Sequence, residues 1–164
     1  KFIESYSLAK LKSFNPNIFN CCDKHRMYIE IIQNNNKDIK EGAVFNETGI
    51  IGQVVNNKSF YEVMLLTDTK SSIPLTNSKE NFYCNALGSG VSGYISCSYS
   101  QLVWLDDHEL GEKFFSSGLG GIYPKGIEIG TLESIKIIDK STTLLKFKLI
   151  SNPLHSNLFG VIKL

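Results

Sequence analysis

Apolar residues along this chain recur in short runs with period two, and helical spacing is nearly absent. "RMYIEIIQ" (Arg26–Gln33), rich in isoleucine and aromatics, and "FYEVMLLT" (Phe60–Thr67), "KFFSSG" (Lys113–Gly118) and "LLKFKLI" (Leu144–Ile150) are strand-like, with Gly, Asn and Asp between such runs. Such runs predict strands. "AVFNETGIIGQVV" reads as two short strands around Glu47–Gly49, and "NFYCNA" and "GYISCSY" as a hairpin around "LGSGVS". "IPLTN", "LVWL", "GIEIGTLESIKII" and the closing "LFGVIKL" complete the set. Strands spaced about 8–12 residues apart predict an all-β sandwich or barrel. The exception is "FIESYSLAKLKSF" (Phe2–Phe14), whose weak helical spacing stops at "NPN". Alone it is too short for a stable helix, so it reads as the tail of a longer one.

Composition narrows the function classes. The 164 residues carry 17 basic and 16 acidic side chains, for a net charge of +1. The lysines form no basic stripe, which argues against nucleic acid as a partner. No apolar run is long enough to span a membrane. The chain begins at Lys1 without a signal-peptide core and reads as part of something longer, with any membrane contact made through an upstream helix. The cysteines are Cys21, Cys22, Cys84 and Cys97, a spacing unsuited to zinc. Cys84 and Cys97 flank the "LGSGVS" turn and either form a cross-strand disulfide or remain two small semi-buried side chains.

The richest candidate for chemistry is "SSGLGGIYPKGIEIG" (Ser116–Gly130). It lacks G-x-x-x-x-G-K-[ST], and β-like alternation follows where a phosphate loop needs a helix. A dinucleotide fingerprint fails for the same reason. A two-barrel serine hydrolase is the other candidate. Ser89 and Ser92 lie in "GSGVSG", with His25, His108 and His155 elsewhere and Asp106–Asp107 beside His108. Neither serine has a nucleophile-elbow context, and His25 and His155 read as solvated loop residues. Glu109 and Glu112 read as a solvated acidic turn. No catalytic, cofactor or metal residues are assigned.

The order of blocks is more specific than any one of them. "IKEGAVFNETGIIGQVVNNKSFYEVMLLTDTKSSIPL" (Ile39–Leu75) is similar to the MreC family pattern of a Gly-x-x-Val entry, a Gly-(Ile/Val)-(Ile/Val)-Gly-x-Val pair, a Ser-x-x-Val-x-Leu-Leu-Thr-Asp run and Ile-Pro. "ALGSG", then "LDDHELGEKFFSSGLGGIYPKGIEIGTL" (Leu105–Leu132), resembles its next blocks, and "ISNPLHSNLFGVIKL" (Ile150–Leu164) its end. Departures are Glu112 for Asp, Ser116 for Thr, and Leu154 and His155 for small residues. The resemblance covers Ile39–Leu164.

What the resemblance implies is an all-β chain of two small barrels, chymotrypsin-like in shape without the triad, preceded by the end of a coiled-coil helix. Residues 1–24 would be that helix end and a linker. Residues 25–72 and 154–164 would make the first barrel, and 73–153 the second. It further implies a non-enzymatic scaffold in the periplasm, attached to the inner membrane, that maintains rod shape. Its partners would be a class B penicillin-binding transpeptidase, elongation proteins of the MreB, MreD, RodA and RodZ types, and further copies of itself. A degenerate hydrolase is the alternative, as is a glycan-binding module built on Trp104 and the tyrosines.

Site residues follow from strand geometry. Gly118, Gly120, Gly121, Pro124, Gly126 and Gly130 are expected to form a structural corner of the second barrel, with at least one of the first three at positive φ. Ile122, Ile127 and Ile129 would point inward, and Tyr123 would sit at the loop tip as a partner anchor. Phe115, Tyr61 and Tyr99 are the other candidate contacts. Neighbours on a strand face opposite ways, so one of each pair Phe114–Phe115, Phe60–Tyr61 and Phe82–Tyr83 should be buried. The final strand is expected in the first barrel, near Met27–Ile32.

Overall fold

A computed structural model describes residues 6–15, 22–34, 39–57, 60–100 and 108–164. Twelve strands make two closed barrels of six. The first contains β1 (Ser7–Phe14), β2 (Arg26–Gln33), β3 (Ala43–Asn46), β4 (Gly49–Asn57), β5 (Tyr61–Leu65) and β12 (Leu158–Ile162). Around it the order is β1-β12-β3-β4-β5-β2, antiparallel throughout. The second contains β6 (Ser72–Asn77), β7 (Tyr83–Gly88), β8 (Tyr94–Ser100), β9 (Lys113–Ser116), β10 (Glu128–Ile137) and β11 (Thr142–Leu149), ordered β10-β11-β8-β7-β6-β9.

The alternation places the cores. On β2, Met27 and Ile29 point inward; on β8, Ile95, Cys97 and Tyr99; on β11, Thr143, Leu145 and Phe147. The first barrel closes on Ala9, Val44, Val54, Val63, Phe159 and Val161. The second barrel's core does not stop at its own strands. Ala43, Ile50, Leu66 and Ile162, all carried by first-barrel strands or their ends, pack in one apolar cluster with Phe114, Phe147 and Tyr123. β3, β4 and β12 thus turn one face into their own barrel and the other toward the second. Burial on both faces explains the consecutive apolar residues Ile50–Ile51 and Val161–Ile162.

Two expectations need correction. Residues 7–14 are not the end of a helix: they are β1, so the first barrel begins at Ser7 and not at 25. Leu, Ala and Lys favour a helix locally, but β1 pairs with β12 on one side and β2 on the other. Without it both neighbours would be open edges, and closure outweighs propensities of a few tenths of a kcal/mol per residue. The upstream residues 1–5 lie outside the described residues. The final strand does enter the first barrel, but between β1 and β3, with β2 one strand further away.

Candidate interaction surface

The glycine-rich corner is built from Ser116 outward. Ser116 is fully buried, and its Oγ donates to the Pro124 carbonyl while accepting the Ile127 amide at 3.0 Å. Its backbone brackets the same loop, with Gly126 N donating to Ser116 O and Ser116 N to Ile127 O, both at 2.8 Å. Residues 117–126 are therefore cinched at the base. Gly118, Gly120, Gly121 and Gly126 all take positive φ, between 73° and 85°. At Gly118 a side chain would also meet Lys125 Cβ at 2.8 Å. Gly130 is constrained differently, because a Cβ there would run into the Lys148 carbonyl of β11.

The corner does not present Tyr123 to solvent. The expected loop-tip anchor is 2% exposed, its ring in the apolar cluster that joins the barrels. Its hydroxyl donates to Gln53 Oε1 of β4 at 3.3 Å, a contact seventy residues back in the chain. Burial pushes its phenol pKa well above the usual range, with a smaller opposing effect from Ser71. The turn at Pro124 directs the ring inward, and burial of so large a side chain outweighs the loop's own polarity. Ile129 is buried as expected, whereas Ile122 and Ile127 are half-buried.

The other candidates separate. Tyr99 is 8% exposed and packs edge-on against Phe82 inside the second barrel, so it is not a surface contact. Phe115 and Tyr61 are half-buried. Phe115 lines a shallow pocket of about 220 Å³ with Thr76, Asn77 and Lys125, whose ammonium meets Glu80 at 3.1 Å. The pairs obey the strand rule at Phe114–Phe115 and Phe82–Tyr83, where the first ring is buried and the second is not. Phe60, by contrast, is exposed next to half-buried Tyr61. Trp104 and Asp106–Asp107 lie outside the described residues.

Two grooves run where the barrels meet. One, of about 180 Å³, is lined by Phe45, Ile50, Pro124, Ile127, Ile150 and Ile162, with Glu47 and Glu128 among its polar residues. The other, of about 330 Å³, includes Ile51, Leu65, Ser92, Leu149, Pro153 and Leu154. The corner thus contributes Pro124 and Ile127 to a predominantly apolar surface shared by both barrels.

The histidines are engaged apart from the serines. His25, expected in a solvated linker, is 1% exposed; its Nδ1 lies 2.6 Å from Thr67 Oγ1 and its backbone amide donates to Asp68 at 2.9 Å. Asp68 also accepts from Arg26 Nε at 2.9 Å, and Arg26 Nη1 from the same guanidinium donates to Glu62 at 2.8 Å. Burial raises the Asp68 pKa, but Arg26 and the amides of Lys70 and His25 outweigh it and hold the carboxyl below its ordinary value. His108 packs against Phe82 with ring centroids 4.5 Å apart, near Glu112. His155 faces Glu47 at 3.6 Å. Ser89 Oγ donates to the Tyr94 carbonyl at 2.6 Å, a turn-stabilising role. Cys84 and Cys97 form a disulfide between β7 and β8 with Cα atoms 6.3 Å apart. No cluster of metal-ligating side chains occurs among the described residues.

Comparison with known proteins gives this geometry its context. Residues 18–161 match the family described as "Rod shape-determining protein MreC, barrel core". The chain belongs to the MreC family. A relative, the cell shape-determining protein MreC of Haemophilus influenzae, is 30% identical over 106 residues, covering 61% of this chain and 30% of its own length. The chain therefore spans under a third of that relative. The crystal structure of MreC from Pseudomonas aeruginosa superposes with a TM-score of 0.77 at 22% identity, over 97% of this chain and 99% of that one. MreC from Helicobacter pylori, solved in complex with the penicillin-binding protein PBP2, matches at TM-score 0.67 and 16% identity, with 96% of each chain covered. The two-barrel MreC fold accommodates this sequence although few residues are shared.

Proposed function

We propose that this MreC chain is the extracytoplasmic part of a single-pass inner-membrane protein and acts without catalysis as a scaffold of wall elongation. In this reading it binds and organises a class B penicillin-binding transpeptidase. It works beside MreB-, MreD-, RodA- and RodZ-type proteins and self-associates as a dimer or filament. The supporting observation is family membership over residues 18–161, joined to a fold shared with the Helicobacter pylori MreC found in complex with PBP2. The apolar surface shared by the barrels suits such a role, since protein partners bury apolar patches with polar rims. The test is to immobilise the folded domain and pass over it the transpeptidase ectodomain of the same bacterium. Retention is expected. No retention at micromolar concentrations, with the domain shown to be folded, overturns the reading. Labelling of Ser89 or Ser92 by a fluorophosphonate, lost on changing a histidine, would favour the hydrolase instead.

A further inference from the structure

Strand β10 outruns one of its neighbours. On one side it pairs with β11 as far as Ile137. On the other its last β9 partner is Thr131, opposite Lys113, followed by Leu132 bonding to the Gly111–Glu112 backbone. From Glu133 to Ile137 that second side has no partner among the described residues. Register identifies the backbone groups left over. Ile138 N donates to Thr142 O, and the pairs Ile137↔Thr143, Lys136↔Leu144, Ile135↔Leu145 and Ser134↔Lys146 continue that register. Antiparallel partners alternate between hydrogen-bonded and non-bonded pairs. Lys136 and Ser134 therefore bond to β11, and Ile135 and Ile137 turn their N–H and C=O outward at the open edge.

The side chains add a chemical signature. Glu133 to Lys140 is a run of exposed residues, in which Ile135, Ile137 and Ile138 are 42%, 67% and 51% exposed. Ile135 and Ile137 share the face that, further along β10, lines the barrel interior. Lys136 is on the outer face, as are Lys146 and Lys148 of β11. Lys146 extends over the Tyr94 ring at 4.3 Å. None of these three lysines, nor Lys140 in the turn, has a carboxylate partner among the described residues, whereas Lys10, Lys12, Lys113, Lys125 and Lys163 each have one. Nearby acids are partly committed: Asp139 accepts from Ser141, and Glu128 faces Lys113. Glu133 and Asp139 are the only carboxylates of that exposed run, against Lys136 and Lys140 within it and Lys146 and Lys148 beside it, so the face keeps a net positive charge.

We propose that the open edge of β10 from Glu133 to Ile137 is a strand-addition site for an extended segment of a partner protein whose residues alternate apolar and acidic. Backbone bonds to Ile135 and Ile137 supply the affinity common to strand addition, and alternate side chains supply the selectivity. Residues directly opposite share a face, so apolar partners would cover Ile135 and Ile137 while acidic ones meet Lys136. A second copy of this chain is the poorer occupant, because its edge brings the same unpaired lysines.

The experiment is amide NMR of the folded domain titrated to millimolar with a capped octapeptide of alternating valine and glutamate, with a valine–lysine octapeptide as control. The acidic peptide is expected to shift the Glu133–Ile137 resonances and to slow exchange at Ile135 and Ile137 roughly fivefold or more. The lysine peptide should do neither. Ile135→Pro removes an outward amide without touching the β11 ladder and should abolish binding. Lys136→Glu, on an exposed position that leaves folding intact, should weaken the acidic peptide and admit the lysine one. Equal binding of the two peptides, no binding of either, shifts centred elsewhere, or an unchanged preference in Lys136→Glu would overturn the proposal.

Discussion

The two barrels have the same strand count and opposite constructions. The second is one continuous stretch, β6 to β11, closed by its own neighbours and crossed by the Cys84–Cys97 disulfide. The first is assembled from both ends of the chain, because β12 wedges between β1 and β3. Its strands are tied by charge, through Lys10–Glu30, Arg26–Glu62 and Arg26–Asp68. The second barrel has its own exposed cross-strand pair, Lys113–Glu128, and in its core packs rings edge to face, Phe82 on Tyr99 and Phe114 on Phe147. The contrast teaches that the barrels differ in autonomy. The second can close as its residues become available. The first must hold strands β1 to β5 open until the chain has passed through the second and returned, a long loop closure that local contacts do not assist.

The largest effect that would break this comparison is removal of residues 158–164. The first barrel then has two unpaired edges and loses Phe159 and Val161 from its core, and it should unfold, while the second loses the seam residues Ala43, Ile50, Leu66 and Ile162, melts lower, and keeps its amide dispersion on its six intact strands. Loss of both barrels together, or of neither, would show that they are not unequal in this way.

Tyr123→Ala probes the joint. The buried ring belongs to the cluster shared by both barrels, so truncation should cost about 4 kcal/mol, as for other buried aromatics. Denaturant melts would check it. A near-parental midpoint would mean that the seam is not a common core.

Asp68→Ala tests the first barrel's reliance on charge. It strands Arg26, 12% exposed, beside Glu62 alone and should cost about 3 kcal/mol. The pH sign follows from the lowered carboxyl. Its stabilisation is complete above the ordinary carboxylate value of 3.8 and is lost as pH falls through the lower folded value. Parent and variant should therefore converge in stability on acidification, and parallel pH curves would refute the role.

Cys84→Ala with Cys97→Ala is the counterpart in the second barrel. Opening a loop of sequence separation 13 should cost about 3 kcal/mol, and the loss should not depend on acid pH. Gly120→Ala is the smallest test. Its φ is 82° and an added Cβ meets nothing within 4 Å, so only conformational strain remains, about 1 kcal/mol. A parental midpoint with lost transpeptidase binding would make the corner a contact surface and overturn its structural role.

How much could be read beforehand varies with the range of the interaction responsible. The period-two runs located the strands they covered, because alternation is local, as β11 shows from Thr142 to Phe147. The glycine corner was legible for the same reason: positive φ at Gly118, Gly120 and Gly121 is a demand that residue type announces. β1 was not legible, since "SLAKLKSF" satisfies a helix as well as a strand and only its two neighbours decide. Tyr123 and His25 were misplaced because their surroundings come from residues far along the chain, Gln53 for one and Thr67 and Asp68 for the other.

The chain by itself determined its class and its turns: alternating β-branched and aromatic runs, punctuated by glycine and asparagine, admit little besides packed antiparallel strands. It also carried the MreC pattern. The three-dimensional fold settled which strands close each barrel, that Cys84 meets Cys97, that Tyr123 is a seam residue, and that β10 runs past its β9 partner among the described residues. Those outcomes depend on pairings between segments separated by many residues, and the free energy of such pairings belongs to both partners at once. No window of sequence contains both.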